Sequence, residues 1–224
     1  MNPHTWMPVV MPLGLRQAMR VLPLALLAPG LLLPAAAQIA RLPEGPQLSR
    51  LDRQNWTTAN PIVRVLVFEG PGLDLAAAAG PLLLRDAAGR VLVELSPGQT
   101  LQVAPDPLSA AGLRWQLSDG QSTGVSDSDL WLEPVVPEAR LRLEQRQYRG
   151  QGQLRRVQNT LQAINHVPLE SYLPSVVGSE MPPSWPQPAL RAQAVAARTY
   201  ALRQRRANDP FDLRATVSSQ VYRG

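Results

Sequence analysis

Glu180 and Arg198 are the residues of this 224-residue chain whose type and placement suit chemistry. Glu180 follows Gly178-Ser179 where a helical pattern ends and a proline-broken turn begins. The negative end of a helix dipole disfavours a carboxylate there. A carboxyl that is also partly buried titrates above the usual range, which suits a general acid working near neutral pH. Position alone favours a solvated loop glutamate. Arg198 lies inside the next helical pattern, about 80° round the wheel from Leu190 and flanking an apolar stripe. An arginine so placed grips a carboxylate or lines a cleft, or else snorkels to the surface. Direct contact with Glu180 would oppose an acid role, so Arg198 is expected on a substrate oxygen or carboxylate. Gln193, Thr199 and Tyr200 are the other polar groups on that helix.

Two helices must position these groups. Leu169, Tyr172, Leu173, Val176 and Val177 repeat at helical spacing and predict a first helix from about Leu169 to Gly178. Pro174 kinks it or marks its first turn. Pro182 and Pro183 forbid continuation. Ser184 is the expected N-cap of the second helix, with Pro186 or Pro188 in its first turn. Leu190, Ala194, Ala197 and Ala201 form a narrow stripe whose small side chains permit close helix packing. Arg203, Arg205 and Arg206 complement the dipole at its end.

Strands precede the helices, and the predicted fold is α+β: a small β module followed by a mixed sheet with two helices. Strands are expected over Ile62–Phe68, in a hairpin from Leu82 to Leu95, and over Thr100–Val103, Gly112–Leu117 and Asp129–Pro134. Arg140–Gln147, Leu154–Val157 and Leu161–Val167 continue the pattern. The domains so read are a β-rich module over 61–139 and a second domain over 140–224. Residues 38–60 read as a linker, punctuated by Pro43, Gly45 and Pro46.

The amino terminus has a basic start (Arg16, Arg20), an apolar run from Val21 to Leu33, and small residues ending at Ala37. This order predicts a secretory signal peptide over 1–37. The run is shorter than the roughly 20 residues that cross a bilayer, although an uncleaved anchor is the other reading. The protein is therefore expected to be exported to the periplasm, cell wall or medium, touching membrane only through that segment.

The chain has no cysteine, which excludes disulfides, thiolate metal sites and a cysteine nucleophile. His166 is the single histidine after the signal segment and reads as structural, so no metal is expected. Charge is uneven. Residues 38–139 carry seven arginines against twelve acids, and residues 140–224 carry thirteen against five. The basic half suits an anionic cell-envelope polymer or is a solvated arginine surface. Export, and the lack of aromatic–basic interleaving, argue against nucleic acid.

Several strings resemble one family: Asn165-His166-Val167-Pro168-Leu169-Glu170-Ser171-Tyr172-Leu173, Ser179-Glu180-Met181-Pro182, Trp185-Pro186, Ala189 to Ala201, and Ser219 to Gly224. Together they resemble the stage II sporulation protein D/amidase enhancer LytB family, from about Tyr148 onward. The resemblance implies action on peptidoglycan glycan strands. One branch of the family is a lytic transglycosylase, and the other stimulates a cell-wall amidase. The family's catalytic glutamate maps onto Glu180 and an active-site arginine onto Arg198. Gln193, Tyr200, Gln220 and Tyr222 are implied as substrate-binding. Where some members hold zinc ligands, this chain has Thr216, Val217, Ser218 and Ser219, and no cofactor is implied. The family continues past the Gln-Val-Tyr string, so the resemblance implies a domain incomplete at Gly224.

Overall fold

The computed structural model describes residues 60–224. The expected signal segment, and the expected linker except for Asn60, lie outside the described residues.

Among the described residues, thirteen strands and two helices follow in order: β1 (Ile62–Gly70), β2 (Leu73–Ala78), β3 (Leu82–Arg85), β4 (Val91–Leu95), β5 (Thr100–Pro105), β6 (Leu113–Leu117), β7 (Thr123–Ser126), β8 (Leu130–Pro134), β9 (Arg140–Leu143), β10 (Arg146–Tyr148), β11 (Gln151–Val157), β12 (Thr160–Pro168), α1 (Leu169–Glu180), α2 (Gln187–Gln204) and β13 (Leu213–Arg214). The α+β class is as expected. One sheet runs β13-β1-β12-β11-β8-β3-β4 and the other β10-β9-β2-β5-β6-β7. All pairings are antiparallel except the short parallel contact of β1 with β13, which makes the larger sheet mixed.

The expected boundary at 139/140 falls inside both sheets. β1 pairs with β12, β8 with β11, and β2 with β9. The two stretches therefore share their backbone hydrogen bonds and do not form separate modules. One buried cluster draws Leu84 and Leu101 from the first stretch together with Leu154, Tyr172 and Ala201 from the second.

Three strands escaped the sequence reading. β2 is alanine-rich, a composition with little strand preference, yet it is hydrogen-bonded on both sides by β5 and β9. β7 and β13 are edge elements of four and two residues, too short for a readable period.

β12 is the strand that carries the helices. Leu161, Ala163, Ile164 and Val167 are buried along it, and Pro168 leads straight into α1. Gly150 turns the chain from β10 into β11 with φ +80°, and a Cβ there would lie 2.2 Å from the His166 carbonyl oxygen of β12. No other residue type fits so close an approach. After α2, Asp212 holds the chain to β1. Its carboxylate accepts from the Arg64 backbone N–H at 2.9 Å and from the Arg64 guanidinium at 2.6 Å.

Tyr148, Tyr172 and Tyr222 stack in the core. Ring centroids are 5.6 Å apart for Tyr148–Tyr222 and 4.9 Å for Tyr172–Tyr222. They join β10, α1 and the carboxy-terminal segment. Burial pushes all three phenols above their ordinary value. Each folded phenol therefore holds its proton at a pH where the unfolded one has lost it.

Two outcomes follow. Leu84→Ala and Leu154→Ala, on opposite sides of position 139, should each cost about 2–5 kcal/mol and lower the same melting transition; separate transitions for the two stretches would contradict the shared core. Stability should hold below pH 10.0, the ordinary tyrosine value, and decline as pH rises past it, because the unfolded state then binds fewer protons. Denaturant titrations alongside phenolate absorbance check this.

Candidate functional site

α1 ends on Glu180. The helix is closed by the Met181 N–H on the Val177 carbonyl at 2.9 Å, and Met181 itself is extended. Glu180 is thus the last helical residue, not one beyond the helix as expected. Pro182 and Pro183 prevent another turn, and the chain re-enters helix at Gln187. The expected Ser184 cap is not used. Pro186 occupies the cap position, and its carbonyl accepts from Ala189 at 2.9 Å and Leu190 at 3.2 Å. Two prolines with fixed φ pre-set this entry, which makes a side-chain cap dispensable.

The Glu180 side chain is exposed, because the helix ends at the surface turn. It is nonetheless held. The Gln193 side-chain amide of α2 donates to Oε2, and the Val221 backbone N–H donates to Oε1 at 3.4 Å. α1, α2 and the carboxy-terminal segment therefore meet on one carboxyl. A carboxylate has about four acceptor sites, so two remain for a ligand.

Arg198 is elsewhere. Both its terminal nitrogens donate to Glu170 at the start of α1, one of them to Oε2 at 2.9 Å. The bond to Glu170 holds the guanidinium proton more tightly than usual. Arg198 and Glu180 are not brought together. Glu170 and Glu180 are ten positions apart in α1, about 15 Å along the axis. The expectation that Arg198 is free to grip a ligand is corrected: a carboxylate of the same chain already fills the planar fork. Glu170 was missed because its partner is 28 positions away, far outside helical spacing.

The remaining predicted binding residues divide. Gln193 touches Glu180, as described. Tyr200 is half-buried and packs against the core cluster. Gln220 and Tyr222, expected to contact substrate, are turned inward. Gln220 is 5% exposed; it accepts from the Tyr172 hydroxyl at 2.8 Å and donates to the Ala197 carbonyl at 3.3 Å. Tyr222 is 1% exposed and donates to Asn165 Oδ1 at 2.8 Å. Asn165 in turn donates to the Arg149 and Gln151 carbonyls at 2.8 and 3.1 Å. These bonds occupy the polar atoms of a buried surface. They fix the segment that carries Val221, so Gln220 and Tyr222 serve the site through backbone position. Asn165 had no assigned role of its own. His166 bonds Gln153 at 2.8 Å and meets the Trp131 ring edge-on, a structural placement. Among the described residues no cluster of His, Cys, Asp and Glu could hold a metal ion, and no helix is long and apolar enough to cross a membrane.

Comparison with known proteins places this geometry. The family model described as Stage II sporulation protein matches residues 157–224, which contain β12, both helices and the carboxy-terminal segment. An uncharacterized protein of Brachyspira hyodysenteriae is 46% identical over 69 residues, 30% of this chain and 19% of that protein. Stage II sporulation protein D of Bacillus subtilis is 50% identical over 42 residues, 19% of this chain and 12% of that protein. The matched part thus spans less than a fifth of either curated relative. No solved structure matches the chain. The region that joins Glu180, Gln193 and Val221 is the matched region, and residues 157–224 are similar to the Stage II sporulation protein family.

Proposed function

We propose that this protein acts on the bacterial cell wall, as a peptidoglycan lytic transglycosylase with Glu180 as its acid and base. The observation that carries the reading is one carboxyl at an interhelical turn, oriented by Gln193 and the Val221 N–H while still open to solvent. The B. subtilis relative, named Stage II sporulation protein D, points the same way. Export of the chain, proposed from its amino-terminal residues, would deliver it to such a substrate.

A single carboxyl suffices for this reaction. Glycoside hydrolysis ordinarily uses two. Here protonated Glu180 gives its proton to the glycosidic oxygen as the bond from that oxygen to the anomeric carbon breaks. The C6 hydroxyl of the same sugar attacks the anomeric carbon, and the Glu180 carboxylate takes the hydroxyl proton. A 1,6-anhydro ring closes and the carboxyl is again protonated. The nucleophile belongs to the substrate, so positioning replaces the second carboxyl. Gln193 and the Val221 N–H keep the carboxyl aimed through both proton transfers.

A second reading has its own observation. Trp185 is 49% exposed, Val195 63% and Leu202 40%, all on or next to α2. Apolar side chains left open on one helix suit a protein partner. In that reading the chain is a wall-binding activator of an amidase and Glu180 is a recognition group.

Glu180→Gln separates the two. On glycan strands stripped of stem peptides, the variant should lose anhydro-muramic ends by roughly 10²–10⁴-fold, the usual worth of general acid–base catalysis. Gln193→Ala should lower kcat more than it changes KM, since the Gln193 amide donates to the Glu180 carboxyl. Unchanged anhydro-end formation by Glu180→Gln, or none by the unmodified protein, would reject the enzymatic reading. Amidase stimulation that survives Glu180→Gln would favour the second.

A further inference from the structure

We propose that the outward face of α2 docks an acidic amphipathic helix of a protein partner. The inference rests on the second reading above, whose partner it gives a chemistry, and makes no use of Glu180 as a catalyst.

α2 has two sides. Ala197 and Ala201 are its buried residues. Ala192, Val195, Thr199 and Leu202 recur at alternating spacings of three and four, so they share about 80° of arc on the other side. All four are exposed, Val195 at 63% and Leu202 at 40%. The Thr199 hydroxyl donates to the Val195 carbonyl at 2.8 Å, so its proton is satisfied within the helix. Trp185, also exposed, stands in the turn just before α2. Alternation of three and four is the spacing with which one helix packs a seam against another.

Charge chooses the occupant. Arg191 and Arg203 are exposed and flank the stripe, one on each side and each about 60° from its middle. Between Gln187 and Gln204 there is no acidic residue. A helix with carboxylates beside its apolar seam complements this pattern, whereas a second copy would set arginine against arginine. The stripe is one seam wide, which suits a single helix; a bilayer surface takes up a broader apolar face. Gln193, which holds Glu180, is about 140° round α2 from the middle of the stripe. The partner therefore docks on a different side of α2 from the carboxyl.

The probe is a three-heptad peptide with leucine at its a and d positions and glutamate at e and g, whose mutual repulsion keeps it unpaired at neutral pH. A control peptide carries lysine at e and g. Fluorescence anisotropy follows binding to the full chain. The acidic peptide should bind, and the lysine peptide should bind roughly tenfold more weakly or worse. Val195→Gln combined with Leu202→Gln should weaken the acidic peptide by roughly tenfold; both positions lie in solvent, and circular dichroism confirms the fold. Arg191→Gln combined with Arg203→Gln should flatten the salt dependence of the affinity. No binding of the acidic peptide, equal binding of both peptides, or an affinity indifferent to the Val195 and Leu202 changes would overturn the proposal. Binding to phosphatidylglycerol vesicles in place of the peptide would assign the face to a membrane, and dimerisation abolished by the same two changes would assign it to a second copy; either overturns the proposal. Anhydro-end formation and amidase stimulation are measured separately, and each can stand while this proposal falls.

Discussion

The buried hydrogen bonds of Asn165, Tyr172, Gln220 and Tyr222 are the constraint on which the candidate site depends. They tie β12, α1, α2 and the carboxy-terminal segment into one interior, with each donor matched to an acceptor. Leaving one of these polar atoms unpaired costs about 1–3 kcal/mol in a buried setting, whereas the gain from each bond is smaller. Such a network therefore specifies one arrangement more than it stabilises it. What it specifies is the path of residues 219–224, and through that path the Val221 N–H that reaches Glu180.

The helix pair obeys a complementary rule. α2 buries only Ala197 and Ala201, and the Gln220 amide reaches the carbonyl of Ala197 itself. Small side chains permit that approach. Much of α2 is left facing outward, with Val195 and Leu202 in solvent. The carboxyl and its two donors come from the end of α1, the body of α2 and the carboxy-terminal segment, and a surface group is thereby held by an interior scaffold. Function at the edge and rigidity beneath it are built from the same few contacts.

Much of this was legible in the residues. The periodicity of Leu169, Tyr172, Leu173 and Val176 marked α1, and the alanine stripe marked the buried line of α2. The proline pairs located the break beside Glu180. The limits were non-local. Glu170 and Arg198 look unrelated in sequence, and only the antiparallel meeting of the helices joins them. Gln220 and Tyr222 were polar residues in a recognisable string, so contact with a ligand was the natural expectation; their burial comes from the Tyr172 and Asn165 partners that tertiary structure brings. A boundary at 139/140 followed the change in charge, but backbone pairing is indifferent to side-chain charge and runs across it.

The pairing of β1 with β12 has a kinetic meaning. Ile62 lies opposite Pro168, and Gly70 opposite Leu161, so the first strand waits for partners roughly a hundred positions later. β11, its neighbour across β12, likewise needs β8 and β12 at once. Closing loops of that size before any contact is rewarded makes for slow, late assembly of the larger sheet. The nascent chain thus stays without a finished sheet until β12 has emerged, and the strand that launches α1 is also the one that lets β1 settle.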